Sequence, residues 1–203
     1  MNIEILYNAV DLVRASGYSG HPREAAFMRA YPILLSTVRL PAPNPVESLL
    51  RAASLAYAWM PRTLRLDISR LDAAAEAHAA ARREAPDISV DLIEPIADCL
   101  GSLVGAAWIL HISNPAVFPL WGRRVERFRL QTTPSGYHMG QTRNYLSFVE
   151  ETQSVAAHPL FLTFHHEYCT AYQARLQRLK IPAYPLTEPR VIESAAAELA
   201  GQS

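Results

Sequence analysis

Four arginines lie close together at Arg123, Arg124, Arg127 and Arg129, the densest cluster of charge in the chain. In a helix, Arg123 and Arg127 are four apart and share a face, with Arg124 beside them. A guanidinium pairs bidentately with phosphate, so such a face suits a nucleic-acid backbone and predicts strongly salt-dependent binding. Trp121 and Tyr137 flank it and offer rings on which a base could stack. The same residues also read as a solvated face balanced by Glu126, with the aromatics in a core or at its rim. A second candidate is His165 with Cys169, again four apart on one helical face, a spacing that suits two ligands of one zinc. A structural zinc takes four, so Cys99 and His111 or His138 would have to join from elsewhere. A half-buried histidine beside a buried thiol accounts for the pair equally well, and no metal is assigned. Asp98, Glu126, Glu150 and Glu151 are the acids near the arginines, and none is singled out by its neighbours. The chain has no Gly-x-Ser-x-Gly elbow, no Walker loop, no dinucleotide glycine fingerprint and no His-Glu-x-x-His. The sequence therefore points away from an enzyme and implies no cofactor.

Composition bounds these readings. The chain has 203 residues, half of them hydrophobic, with 19 Lys+Arg against 19 Asp+Glu. That supports a sizeable core and excludes global disorder. A nucleic-acid contact would have to be local, because the molecule as a whole carries no net charge. All but one of the basic residues are arginine, the exception being Lys180. Cys99 and Cys169 fall in apolar helical patterns and read as free thiols. No secretory leader is visible, and the apolar run 103–112 is too short to span a bilayer. The expected setting is cytoplasmic, with no membrane partner.

The elements that must position these residues are helical. Ile3, Leu6, Ala9, Val10 and Val13 repeat at helical spacing, and Gly17 and Gly20 mark the turn that follows. A helix over 22–30 is expected to break or kink at Pro32. Asn44 caps a helix over 46–60, with Pro45 in its first turn and Glu47 three residues after the cap. The segment 61–85 reads as mostly helix, with His78 as an exposed spectator. A helix over 88–100 is interrupted at Pro95. The run 103–111 is apolar on all sides, as in a central buried helix, and stops before Asn114 and Pro115. Helices over 120–130, 141–157, 160–179 and 188–199 complete an all-α domain of about nine or ten helices around that central one. It reads as a single domain over 1–203, with a candidate sub-boundary near residue 86 separating 1–85 from 86–203.

One stretch resembles a family pattern. Leu110, His111, Pro115, Phe118, Pro119, Leu120, Trp121, Arg124 and Val125, followed by Tyr145, Leu146, Ser147 and Phe148, resemble uncharacterised prokaryotic proteins related to the helix-hairpin-helix DNA glycosylase superfamily. The resemblance covers roughly residues 95–175. It implies DNA contact through a hairpin at 101–105, in which Gly105 is retained. The pattern's catalytic-type aspartate falls on Gly122 and its lysine on Trp108, which implies a degenerate, non-catalytic member. The leading expectation is nucleic-acid or nucleoprotein binding through Arg123, Arg124, Arg127, Arg129, Trp121 and Gly105. The alternatives are a protein-interaction or homodimer module using the faces of 46–60 and 160–179 and the tail from Tyr184, or a glycosylase-like or metal-dependent hydrolase.

Overall fold

The computed structural model of the chain describes residues 1–16, 22–60 and 62–201. Within them are eleven α-helices, a short 3-10 turn and no strand: α1 (Ile3–Ala15), α2 (Pro22–Arg39), α3 (Pro45–Trp59), α4 (Leu71–Ala81), α5 (Val90–Leu100), α6 (Leu103–Ser113), α7 (Arg123–Leu130), α8 (Gly136–Met139), α9 (Thr142–Ala156), α10 (Phe161–Arg178) and α11 (Glu188–Ala200). The predicted turn at Gly17 and Gly20 lies outside the described residues.

Side-chain caps set several helix starts. The Asn2 side chain accepts the Glu4 amide at 2.7 Å. The Asn44 side chain accepts the Glu47 amide at 2.9 Å and donates back to the Glu47 carboxylate at 3.0 Å, closing the predicted box ahead of α3. The Ser102 hydroxyl accepts the Gly105 amide at 3.1 Å and opens α6. Gly101 ends α5 in the left-handed region at φ +56°, where a Cβ would be strained. α5 and α6 therefore meet at 116° across a two-residue turn.

Two layers share one core. α3, α4, α5 and α6 pack on one another, and α1, α7, α9 and α10 gather around α11; α2 lies across α3 and α6, and α9 reaches α5. α6 is buried along nearly its whole surface, as its unbroken apolarity predicts. The sub-boundary near residue 86 falls between α4 and α5, which pack directly together, and one core cluster takes residues from both sides. Among the described residues no single helix is long and apolar enough to cross a membrane.

Several expectations need correction. α2 runs unbroken through Pro32, and α5 runs unbroken through Pro95. A proline inside a helix costs about 3 kcal/mol. Burial of Tyr31, Leu34 and Val38 on α2, and of Leu92, Ile93, Ile96 and Cys99 on α5, outweighs that cost. Residues 62–67 are not helical; they run beside the end of α5, where the Asp67 amide donates to the Cys99 carbonyl at 2.7 Å. His78 is fully buried rather than exposed, and its Nε2 lies 2.8 Å from the Ser113 hydroxyl. The apolar faces of α3 and α10 are covered by the chain's own helices, and the tail from Tyr184 packs into the same core. Those buried faces pack inside the protomer, while Leu160 and Leu162 at the start of the 160–179 segment stay exposed.

Gly105 also has a packing role. Its amide is already taken by Ser102, and a Cβ built on it would sit 2.4 Å from the Tyr57 hydroxyl. Its amide is not open to grip a phosphate. Gly105→Ala is expected to destabilise by about 1–3 kcal/mol through overpacking, despite the better helix propensity of alanine. Thermal unfolding should show Tyr57→Phe recovering part of that loss, because it removes the nearest atom.

Candidate functional site

The loop between α6 and α7 explains the pattern carried by His111, Phe118 and Trp121. The His111 Nδ1–H donates to the Phe118 carbonyl at 2.8 Å, and Nε2 accepts the Tyr31 hydroxyl at 2.9 Å. Burial holds the ring neutral, with its pKa lowered to about 3. The Trp108 indole donates to the Trp121 carbonyl at 3.0 Å, and the Thr187 hydroxyl donates to the Pro115 carbonyl at 2.7 Å. Phe118 and Trp121 are both 0% exposed. Trp121 is therefore a core residue, and its buried ring offers no platform for a base. Tyr137, in α8, is 73% exposed.

The four arginines do not form one face. Arg129 turns inward and grips both oxygens of fully buried Glu126 at 2.7 Å, while also pairing with Glu151. His138 Nε2–H donates to the same Glu126 at 2.8 Å, and its Nδ1 accepts the Asn144 amide at 3.1 Å. Arg127 donates to the Ala200 carbonyl at the end of α11. Arg124 is half-exposed and lies 3.6 Å from Glu24 on α2. Arg123 is exposed, with one long 3.5 Å contact to the Pro134 carbonyl. Arg127 and Arg129 thus leave the predicted binding face, because a helix end and a buried carboxylate attract them more than solvent does.

Arg123 instead joins a residue the sequence did not single out. A groove of about 490 Å³ is lined by Arg62 and Arg123, by the first turn of α6 from Ser102 to Val104, by Gly122 at the start of α7, and by Gly136, Met139 and Gly140. Among the described residues no carboxylate lines it. The amides of a helix's first turn have no intrahelical acceptor and carry partial positive charge. Gly122 supplies no side-chain cap to α7. The groove therefore presents two guanidiniums and two helix N-termini to one volume, an arrangement that favours anions.

A separate cavity of about 280 Å³ lies where α2, α3, α6, α7, α10 and α11 converge. Phe27, Trp59, Trp108, Trp121 and Tyr172 form its aromatic walls, and α11 contributes Arg190, Glu193, Ser194 and Glu198. Arg190 pairs with Glu193 and lies 4.8 Å over the Tyr31 ring, while Glu198 pairs with Arg175 at 2.5 Å. Burial raises the Glu193 carboxyl to about 7, with Arg190 pulling in the opposite direction. Sequence reasoning missed these residues because they come from six helices. The visible signal was Glu193 itself, a charge among Val191, Ile192, Ala195 and Ala196 on an otherwise apolar face.

Trp108 and Gly122, which stand at the pattern's lysine and aspartate positions, line both the groove and the cavity. His165 and Cys169 face each other at 3.8 Å, and no group of three metal-ligating side chains occurs among the described residues. Comparison with family models, with curated proteins and with solved structures gives no match.

Proposed function

We propose that the chain is a non-catalytic nucleic-acid-binding protein that holds the phosphate backbone in the groove of Arg62 and Arg123. The observation that carries this reading is the convergence there of two arginines and the N-termini of α6 and α7, with no lining carboxylate among the described residues. The 116° turn between α5 and α6 sets the first turn of α6 against the groove, in keeping with the hairpin role that the glycosylase resemblance implies. Exposed Tyr137 sits in the same short helix as groove-lining Gly136 and Met139, and supplies a ring for stacking on an unpaired base. The chemistry is phosphate contact without bond breaking.

Fluorescence anisotropy with labelled duplex and single-stranded oligonucleotides tests this. Affinity is expected to fall steeply between about 50 and 200 mM salt. In Arg62→Ala/Arg123→Ala the slope of log K against log salt should drop by about two, one for each lost phosphate contact. Arg127→Ala should leave that slope unchanged, since Arg127 is spent on the end of α11. Absence of binding at low salt, or an unchanged slope in the double variant, refutes the reading.

A further inference from the structure

We propose that the aromatic cavity is a binding site for a small, neutral aromatic molecule of two fused rings. The inference does not rest on the nucleic-acid reading, and neither Arg62 nor Arg123 lines the cavity.

The walls set the shape of the occupant. The five aromatic side chains are joined by Leu120, Val125 and Ala197, so most of the lining is ring or aliphatic carbon. Trp59 meets Phe27 at 86° with centroids 5.9 Å apart, and Trp108 at 62° with centroids 5.1 Å apart. Neither pair is stacked, so the rings stand as walls at an angle to one another. A flat ring placed between such walls makes the edge-to-face and offset contacts that add to plain burial. The space of about 280 Å³ is several times the share of about 30 Å³ that one water takes in the liquid, which gives room for two fused rings.

The charges set the polarity. Three carboxylates line the cavity, and each already has a guanidinium: Glu193 has Arg190, Glu198 has Arg175 behind the wall, and Glu24 has Arg124 at the half-exposed rim. The three pairs balance. A charged ligand, of either sign, would leave water for a lining whose charges are already engaged with one another, and it would gain no partner for that loss. The indole nitrogens of Trp59 and Trp121 and the Nε of Arg190 are sealed within the wall, so they call for no polar group on the ligand. What remains to be matched is the apolar ring surface, and a neutral aromatic matches it. An apolar cleft bordered by buried titratable groups is also the usual form of a small-molecule site, and Glu193 is such a group.

The chain contains three tryptophans, and all three line this cavity. Their indole N–H resonances therefore report on its contents. The experiment titrates unlabelled indole into the isotope-labelled full chain, following those resonances by NMR and heats by calorimetry. It is run at about pH 8, where Glu193, raised to about 7, is ionised and all three pairs are charged. Indole-3-acetate and tryptamine, the same rings with a negative or a positive charge, are titrated in parallel. The expected result is displacement of the tryptophan resonances by indole, with both charged analogues weaker by about tenfold or more. Ala197→Phe, which fills the cavity, should abolish binding. Phe27→Leu keeps an apolar wall of similar size but removes a ring, and should weaken indole about two- to tenfold. Circular dichroism confirms that each variant is folded, and Phe27→Leu decides the matter if Ala197→Phe is not. Unmoved tryptophan resonances at millimolar indole, equal or tighter binding of either charged analogue, binding that survives Ala197→Phe, or unchanged affinity in Phe27→Leu would overturn the proposal.

Discussion

Glu126→Ala is expected to be among the most damaging single substitutions in the protein, costing about 3–5 kcal/mol of stability. Glu126 is fully enclosed and accepts from both Arg129 and His138, which ties α7 to α8. Removing the carboxylate leaves Arg129, only 10% exposed, with Glu151 as its remaining anion. The loss comes from the buried Nη1 donor of Arg129 and the Nε2–H of His138, which lose their shared acceptor while Glu151 still pairs with the rest of the guanidinium. Urea unfolding would measure it as a lower midpoint with an unchanged slope. Combining Glu126→Leu with Arg129→Met removes both charges and should recover most of the stability. If the double substitution is as unstable as the single one, packing around Glu126 and not charge burial is responsible.

The second large effect is a fall in stability below neutral pH. His78 and His111 are buried and neutral, with folded pKa values of about 4 and about 3 against about 6.5 when unfolded. Both have depressed values, so their contribution is complete above the unfolded pKa and declines as pH falls below it. Between pH 6.5 and 4.5 the unfolded chain takes up about two more protons at these positions than the folded one does. Glu193 opposes them, because burial raises its carboxyl to about 7 and the folded state binds that proton over the same window. The net difference is about one proton, or about 1.4 kcal/mol per pH unit, and about 3 kcal/mol over the window. In Glu193→Gln the opposing proton is absent, so the slope should roughly double. Urea titrations at several pH values would show it, and a slope unaffected by the substitution would mean that Glu193 is already ionised in the fold.

The two effects share a cause that explains how much could be read in advance. Helices depend on neighbours in sequence. The spacing of Ile3, Leu6, Val10 and Val13, the Asn44 cap with Glu47, and the unbroken apolarity of 103–111 each act within a few residues. They predicted α1, α3 and α6 and the all-α class. Where a tertiary contact outweighed a local rule, the prediction failed. Pro32 and Pro95 stay helical because their helices are pinned on both sides, and His78 is buried because α4 lies against Ser113 of α6.

The site shows the same division. The sequence alone placed the arginine cluster on a helix, expected over 120–130, whereas the fold starts that helix only at Arg123 after Gly122. It could not determine where long flexible side chains go, because that depends on which acceptors the fold brings near. Only the tertiary structure sent Arg129 to Glu126 and Arg127 to the end of α11, leaving Arg123 to meet Arg62 across a groove. It alone gathered three tryptophans and two buried ion pairs around one cavity, since those residues are up to 139 positions apart, from Trp59 to Glu198. Local periodicity determines which face of a helix is buried, and the packing of distant helices determines what that face meets.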